Sequence, residues 1–255
     1  MTEQRLDGTV ALVTGASSGI GEATAALLAE LGAAVAVAAR RRDRLEDLVR
    51  RIEDKGGRAL ALETDVTDRS QAEAAVEATV AELGRLDTVI NNAGVMLLGP
   101  IEHAPVEEWE RMVHLNELGV LYVAHAALPH LLQAAEQPPR EVADMVNVSS
   151  VAGRVARSGS GVYNMTKWGV GAFTESMRQE FTRRHLRVSV VEPGAVKTEL
   201  ATHVRPEVWG QLGSVFANTE LMEATDIADA IAYIVTRPRR VAINEILIRP
   251  TEQER

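Results

Sequence analysis

The sequence predicts an α/β fold in which a doubly wound, mostly parallel sheet of seven strands carries helices on both faces. Short apolar runs alternate along the chain with longer segments whose apolar residues recur every three or four positions, as at Leu45, Leu48, Val49 and Ile52. Strands that alternate with helices of this length form βαβ units and a parallel sheet. Because crossovers between parallel strands are almost always right-handed, the helices cover both faces of the sheet.

Seven runs qualify as strands, each short and rich in β-branched residues, leucine or alanine. They cover residues 10–14, 34–38, 59–63, 88–91, 145–149, 187–191 and 245–248. The first helix is expected at 21–31, after a glycine-rich stretch, and a long one at 163–181. The proline-rich patch 136–140 predicts a surface loop. The segment 199–223 has mixed polarity and predicts either a substrate lid of short helices or a loop packed on the body.

Composition limits the classes of function. No repeat or long linker divides the 255 residues, so we expect one domain over 1–255. The sequence lacks cysteine, which excludes disulfides and thiol chemistry and fits a reducing cytoplasm. A net charge of −9 argues against nucleic acid or an anionic membrane as a partner. The longest apolar stretch, 23–39, is broken by Glu30 and Gly32 and is shorter than the ~20 residues of a membrane helix. The N-terminus lacks the pattern of a signal peptide.

The stretch TGASSGIG at 14–21 stands where the first strand ends and the first helix begins. Its glycines, Gly15, Gly19 and Gly21, permit positive φ and let a ligand approach the backbone. The helix that follows offers unpaired N–H groups to a phosphate. The stretch therefore predicts either a pyrophosphate cradle or a tight turn whose glycines serve packing alone.

The end of the second strand bears on cofactor preference. A site that prefers NAD has an acidic residue there, whereas an arginine suits the 2′-phosphate of NADP. This sequence has Arg40, Arg41 and Arg42 and no acid, which favours NADP(H) over NAD(H). The alternative is a solvated basic start of a helix.

Polar residues with chemical potential follow later strands. Tyr163 and Lys167 are four apart, so a helix brings them onto one face, where an ammonium favours the phenolate. Ser149 and Ser150 end one strand, and Asn91 to Gly94 follow another at the same edge. Each of these features alone is also typical of ordinary turns or surface neighbours.

Seven motifs occur in order along the chain: TGASSGIG, Asp65-Val66, Asn-Asn-Ala-Gly at 91–94, Asn116, Asn-Val-Ser-Ser at 147–150, Tyr-Asn-Met-Thr-Lys at 163–167, and Glu-Pro-Gly-Ala-Val-Lys-Thr at 192–198. With this order and spacing the chain resembles the short-chain dehydrogenase/reductases in their compact, single-domain, Rossmann-type form. Its ending at 244–251, together with the stretches 96–104 and 126–132, resembles the subgroup that contains clavulanate-aldehyde reductase and short-chain 3-hydroxy acid, serine and amino-alcohol dehydrogenases.

The resemblance implies a role for each motif. Tyr163 is then the general acid/base, Lys167 lowers its pKa and holds the nicotinamide ribose, Ser150 rather than Ser149 orients the carbonyl, and Asn116 holds a water in the proton relay. The cofactor-binding set is Gly15, Ser17, Ser18, Gly19, Ile20, Gly21, Arg40, Arg41, Asp65, Val66, Asn92, Ala93, Gly94, Tyr163, Lys167, Pro193, Gly194, Val196 and Thr198.

The expected activity is the NADP(H)-dependent interconversion of a small or medium carbonyl compound and its alcohol. Two alternatives stay open: an NAD-preferring dehydrogenase of a short hydroxy acid or amino alcohol, and an NADP-sensing protein without catalysis. By analogy with the family we expect a homotetramer with the helix 163–181 at an interface. The histidines, among them His125 and His130, lack metal-ligand spacing, so no metal is expected.

The substrate pocket is expected above Ser150 and Tyr163. Its candidate lining residues are Met96, Arg154, Trp209 and Phe216, and the candidate partners of a substrate carboxylate are Arg154, Arg157, His203 and Arg205.

Overall fold

The computed structural model describes residues 5–212 and 219–254, which form one Rossmann-like domain. Seven strands build a single sheet: β1 Val10–Thr14, β2 Ala34–Ala39, β3 Arg58–Glu63, β4 Thr88–Asn91, β5 Ala143–Val148, β6 Leu186–Pro193 and β7 Glu245–Ile248. Their order is β3-β2-β1-β4-β5-β6-β7, and all six neighbouring pairs are parallel. The predicted fold class is confirmed, with a sheet that is wholly rather than mostly parallel.

Helices connect the strands. They are α1 Gly19–Glu30, α2 Arg42–Glu53, α3 Arg69–Leu83, α4 Val106–Val113, α5 Gly119–Ala134, α6 Gly161–Phe181, α7 Pro206–Leu212 and α8 Ala224–Val235. A π turn, His114–Leu118, joins α4 to α5, and short 3₁₀ turns lie at Ile101–His103, Val151–Gly153, Thr182–Arg184 and Glu199–His203.

The two faces of the sheet bury separate apolar clusters. Ala11 and Val13 of β1 join the cluster under α1, α2 and α8, whereas Leu12 points to the cluster under α3, α5 and α6. This alternation follows from the two-residue period of a strand. Because both faces are covered, the strands are almost continuously apolar, which is the pattern of a doubly wound sheet.

Strand β5 begins two residues earlier than the sequence predicts. Asp144 extends it because its carboxylate, fully buried, pairs with Arg187 of β6 at 2.7 Å and with Arg140 at 3.0 Å. From the sequence alone Asp144 marks the end of the apolar run, because its partner Arg187 lies 43 positions away and no local pattern shows the pairing. At its other end β5 stops at Val148, so Ser149 and Ser150 both lie beyond the strand.

The order of the strands fixes where a ligand site forms. Chain connections from β1 and β4 run in opposite directions across the sheet, which opens a crevice at the carboxyl ends of these neighbouring strands. Within the described residues, none of the helices has both the length and the apolar character needed to cross a membrane.

Candidate active site

A cleft of about 330 Å³ opens at the carboxyl edge of the sheet. This volume lies within the roughly 300–1,000 Å³ typical of small-molecule sites. Of the residues selected from the sequence, the cleft is lined by Gly15, Ser17, Ser18, Gly19, Ile20, Arg40, Arg41, Asp65, Val66, Asn92, Ala93, Gly94, Ser150, Tyr163, Lys167, Pro193, Gly194, Val196 and Thr198. Gly21 and Asn116 lie behind this lining.

Sequence reasoning missed part of the lining. The further residues are Ala38, Ala39, Thr64, Val95, Leu115, Val148, Glu199 and Leu200, whereas Ser149 and His203, which also line the cleft, were already indicated by the sequence. Several directly follow or end a strand, so the rule that ligands bind at carboxyl ends was sufficient to find them. Glu199 and Leu200 belong to the 3₁₀ turn Glu199–His203, within the segment 199–223 that the sequence predicts as a lid or a packed loop, but no local pattern singles out these two residues.

The glycine stretch serves both packing and ligand access. Gly15 has φ +65°, and a Cβ there would lie 2.8 Å from the Cα of Ala93. A Cβ on Gly21 would lie 2.5 Å from the carbonyl oxygen of Gly15. Gly21 therefore allows α1 to pack beneath the loop, and its place in the cofactor-binding set stays a prediction. Gly19, with φ +57°, starts α1 at the cleft itself.

The loop after β4 is tied to the loop after β1. The side-chain amide of Asn92 donates to the carbonyl oxygens of Thr14 and Gly15, at 3.0 and 3.3 Å. The backbone N–H of Ala93 donates to the Thr14 hydroxyl at 3.1 Å. These bonds fix the floor of the cleft before any ligand arrives.

Arg41 lies across the mouth of the glycine loop. Its guanidinium donates to the Ser17 hydroxyl through Nε and Nη2, at 3.1 and 2.9 Å, and to the Ser18 hydroxyl at 2.8 Å. Its Nη1 donates to Glu199 at 2.8 Å. Arg41 is thus oriented by the hydroxyls of the glycine loop and by Glu199, although its side chain is 41% exposed. Arg40 is exposed at the rim.

Tyr163 and Lys167 lie on adjacent turns of α6, and both are buried. The Lys167 ammonium is 5.8 Å from the centre of the Tyr163 ring and donates to the carbonyl oxygen of Val148 at 3.0 Å. The Ser150 hydroxyl lies beside the Tyr163 side chain and acts to lower its pKa. It accepts from the Ala152 N–H at 3.1 Å and donates to the Pro193 carbonyl oxygen at 3.5 Å. Ser149 instead donates to the carbonyl oxygen of Lys167 at 2.9 Å, a bond that anchors α6.

Burial controls the charge of this pair. It raises the pKa of Tyr163 to about 12, although the hydrogen bond from Ser150 acts in the opposite direction. Burial also lowers the pKa of Lys167 to about 8. The sequence-based expectation was a tyrosine pKa lowered by lysine. In this structure desolvation outweighs that effect, because the charged form of each group loses its water. At neutral pH the tyrosine therefore carries its proton.

Asn116 lies in the π turn, and its side chain is buried and fully engaged. Its amide nitrogen donates to the Val95 carbonyl oxygen at 2.9 Å and to the Thr166 hydroxyl at 3.2 Å, and its oxygen accepts from the Val95 N–H at 2.8 Å. A Cβ on Gly94 would lie 3.3 Å from this oxygen and 3.7 Å from the Lys167 nitrogen. Asn116 thus supports the wall of the cleft beside Lys167.

Asp65 and Val66, which follow β3, line another part of the cleft. The Asp65 carboxylate accepts from the backbone and hydroxyl of Thr67, at 3.0 and 2.8 Å. Val66 is buried, and a Cβ on Gly119 would lie 3.0 Å from its side chain. Both residues are held in place from below the cleft.

The segment after β6 forms the opposite wall. Gly194 donates its N–H to the Ile248 carbonyl oxygen at 2.7 Å, which joins the wall to β7. Val196 forms a parallel bridge with Met222. The Thr198 side chain approaches Gly19, where a Cβ would lie 3.1 Å away, and its hydroxyl accepts from the Leu200 N–H at 3.3 Å.

Two arginines expected to meet a substrate carboxylate are already paired. Arg154 contacts the buried Glu192 at 2.7 Å and also pairs with Glu245. Arg205 pairs with Glu108 at 2.9 Å and with Glu207 at 3.2 Å. Each arginine thus has two carboxylate partners, and neither lines the cleft.

The remaining substrate candidates are dispersed. His203 lines the cleft, and burial together with the cation of Arg111 lowers its pKa. Met96 packs against the small apolar cluster that contains Tyr163, and Arg157 donates its backbone N–H to Asn164. Trp209 lies on α7, outside the lining of the cleft. Phe216 lies outside the described residues.

A larger hollow of about 730 Å³ opens at the opposite, amino edge of the sheet. Its charged residues largely neutralise one another, as in the pair of Lys55 with Glu30 at 2.6 Å. Because ligands of open parallel sheets bind at the carboxyl edge, the smaller cleft is the candidate site. Over residues 5–212 and 219–254, no group of three or more histidines or carboxylates could hold a metal ion.

The chain is similar to known oxidoreductases over nearly its whole length. Residues 9–209 match a family model described as short chain dehydrogenase. An uncharacterized oxidoreductase of Staphylococcus saprophyticus is 38% identical over 248 residues, which are 96% of each chain. A glycine betaine reductase of Emericella nidulans is 39% identical over 97% of this chain, which spans 19% of that longer protein. A solved serine dehydrogenase in complex with NADP⁺, in its closed form, superimposes with a TM-score of 0.88 at 29% identity, covering 97% of both chains.

Proposed function

The chain belongs to the short-chain dehydrogenase family, and on this premise we propose that it is an NADP(H)-dependent enzyme that interconverts a small or medium carbonyl compound and its alcohol. Membership makes the protein an oxidoreductase that acts on small molecules. The observation that carries the finer proposal is that Ser150, the buried Tyr163 and Lys167 lie together in the cleft that Arg41 also lines.

The residues of the cleft fit a dinucleotide. Gly15 and Gly19 leave no side chain between the loop and a pyrophosphate, and the N-terminus of α1 favours its negative charge. Arg41, with Ser17 and Ser18, offers a cation and two hydroxyls to a 2′-phosphate. Lys167 is the residue we assign to the nicotinamide ribose. When bound, the nicotinamide supplies or accepts the hydride.

In our mechanism Tyr163 donates its proton to the carbonyl oxygen during reduction and takes it back during oxidation. Its pKa of about 12 keeps it protonated at neutral pH, as a proton donor requires. The Ser150 hydroxyl holds the carbonyl oxygen next to the phenol. The Lys167 ammonium stabilises the phenolate that forms when the proton leaves.

The apolar cluster of Val95, Leu97, Met112 and Tyr163 keeps bulk water from the reacting end. Since both N–H donors of the Asn116 amide are already used, we assign the water of the proton relay to the backbone carbonyl of Asn116.

A second candidate is an NAD-preferring dehydrogenase of a short hydroxy acid or amino alcohol. It is favoured by the carboxylate of Glu199, which already neutralises Arg41, and by the similarity to a serine dehydrogenase. The third hypothesis is an NADP-sensing protein without catalysis. Such a protein does not require the arrangement of Ser150, Tyr163 and Lys167, so we favour the two enzyme hypotheses over it.

We also propose a homotetramer in the cytoplasm, with the segment 199–223 as a substrate lid. The exposed apolar side chains of Leu121 on α5 and of Met165 and Trp168 on α6 support an interface there. The cysteine-free sequence suits a reducing compartment.

The test is oxidation of NADPH and of NADH by the purified protein with a panel of aldehydes, ketones and 3-oxo acids. We expect turnover with NADPH. Faster turnover with NADH would replace the first candidate by the second. Tight NADPH binding without turnover of any member would favour the sensor.

A further inference from the structure

The carboxylate of Glu199 occupies the position where Arg41 would meet an anion. One Glu199 oxygen accepts from Arg41 at 2.8 Å, and the other accepts from Arg44 of α2 at 2.7 Å. The other side of the Arg41 guanidinium holds the hydroxyls of Ser17 and Ser18. Two guanidiniums and two hydroxyls, which are groups that suit a phosphate, surround this position. The carboxylate of Glu199 occupies it.

This carboxylate is a persistent negative charge. Hydrogen bonds from Arg41 and then Arg44 lower the pKa of Glu199 to about 2, so it stays ionised at any physiological pH. The pair is also accessible, since the Arg41 and Glu199 side chains are 41% and 42% exposed. A ligand phosphate can therefore reach Arg41 only beside this charge or by displacing it.

The contact between Arg41 and Glu199 could not be predicted from local sequence. Glu199 lies 158 residues beyond Arg41, in the 3₁₀ turn Glu199–His203 that follows β6. The turn lines the cleft, and its preceding residue, Thr198, lies against Gly19 of the glycine loop. The fold thus places a carboxylate from the opposite wall onto the basic residue that selects the cofactor.

We propose that Glu199 is a specificity-determining residue that competes with the 2′-phosphate of NADP(H) for Arg41, and so narrows the preference for NADP(H) over NAD(H). The inference rests on the proposed dinucleotide site. A 2′-hydroxyl carries no charge, so NAD(H) binds without contesting the Arg41–Glu199 pair. A 2′-phosphate must either repel Glu199 or break the pair, which lowers its net gain from Arg41.

If Glu199 only formed an ion pair with Arg41, its removal would change neither stability nor cofactor binding by much. Exposed pairs of this kind contribute weakly to stability, so a purely structural Glu199 would leave both cofactors bound as before. Competition instead predicts a change for the phosphorylated cofactor alone. This difference makes the two explanations separable by binding.

The experiment is calorimetric titration of NADP⁺ and NAD⁺ into the full chain, as wild type, Glu199→Gln and the control Glu46→Gln. Glu46 forms a similar exposed pair with Arg42 at 2.8 Å on the neighbouring turn, outside the cleft lining. We expect Glu199→Gln to bind NADP⁺ roughly tenfold more tightly, as removal of one nearby negative charge implies, and NAD⁺ within about twofold of wild type. The control should match wild type for both cofactors.

A double variant locates the effect. In Arg41→Gln/Glu199→Gln the gain for NADP⁺ relative to Arg41→Gln should be smaller than the gain in the wild-type background, because the phosphate has lost the partner for which Glu199 competes and only the relief of charge repulsion remains. An unchanged or weaker NADP⁺ affinity in Glu199→Gln would overturn the inference, as would an equal gain for NAD⁺.

Different binding results would contradict the proposed function and the proposed competition by Glu199. Wild-type protein that binds neither dinucleotide contradicts the proposed function before any variant is compared. Wild-type protein that binds only NAD⁺, with NADP⁺ binding gained in Glu199→Gln, contradicts the proposed cofactor preference and supports the competition.

Discussion

At the reacting end of the cleft, the pKa of about 8 for Lys167 links activity to pH. The ammonium is present below this pKa and is lost as the pH rises through it, and with it the stabilisation of the Tyr163 phenolate. We therefore expect kcat/KM for carbonyl reduction to fall above pH 8, since this quantity reports the free enzyme.

The same pH profile for Lys167→Arg is the control, because arginine keeps its charge throughout this range. Its activity will be lower, but the decline near pH 8 should be absent. A wild-type rate that stays flat to pH 9.5 would contradict the assignment.

The two adjacent serines offer a matched pair of variants. Ser150 lies beside Tyr163 and acts on its pKa, whereas Ser149 is bonded to the Lys167 carbonyl oxygen beneath the site. We expect Ser150→Ala to lower kcat by about 10²-fold, as for loss of one oriented donor, and to lose up to about 1 kcal/mol of stability, because its hydroxyl also accepts from the Ala152 N–H at 3.1 Å. Ser149→Ala should instead lower the free energy of unfolding by about 1 kcal/mol, the usual cost of one buried hydrogen bond. Steady-state kinetics distinguish the two variants, urea denaturation measures their stability, and the reverse pattern in kcat would exchange their roles.

Single residues also mark the limit of sequence reasoning. The spacing of Tyr163 and Lys167 was sufficient to predict that they share a face of α6, because helix periodicity is local. Their pKa values were not predictable, because burial depends on Val95, Leu97 and Met112, which reach Tyr163 only through the fold.

At the level of elements, Arg154 fastens the 3₁₀ turn that follows Ser150 to two strands. It pairs with Glu192 of β6, which is 2% exposed, and with Glu245 of β7. Removal of the arginine leaves a buried carboxylate without this partner, which is costly. Because Arg154 itself is partly exposed, we expect Arg154→Met to lower the free energy of unfolding by about 1–3 kcal/mol.

The paired variant Arg154→Met/Glu192→Met tests the cause of that loss. It should recover most of the stability in urea denaturation, since no unpaired buried charge remains. If the double variant is as unstable as the sum of the single variants, the ion pair is not what holds the turn.

The strands show why some boundaries could be predicted and others could not. Strands β1, β4 and β7 were placed correctly from their apolar runs alone. Strand β5 begins earlier than predicted because Asp144 meets Arg187 across the sheet, a pairing that no local pattern contains. In the same way, the apolar residues around the turn at Glu199–His203 do not recur at a regular spacing, so the sequence predicts only a lid or a packed loop over 199–223.

For the whole molecule, the exposed apolar surface on α5 and α6 predicts association. Trp168 and Met165 are each 51% exposed and Leu121 is 39% exposed. We expect Trp168→Glu to shift a tetramer to smaller species in sedimentation velocity, because the charge would be buried at the interface. A variant that sediments like the wild-type tetramer would contradict this interface, and a monomeric wild type would contradict the tetramer.

The proposed activity requires hydride transfer in this cleft with Tyr163 as the proton donor. The most direct measurement follows reduction of the best carbonyl substrate with NADPH that carries deuterium at both C4 positions of the nicotinamide, in wild type and in Tyr163→Phe. We predict one deuterium on the former carbonyl carbon, and a rate lower by about 10²–10⁴-fold in the variant, as for loss of a general acid. An unlabelled product, or a Tyr163→Phe variant as fast as wild type, would contradict the central claim.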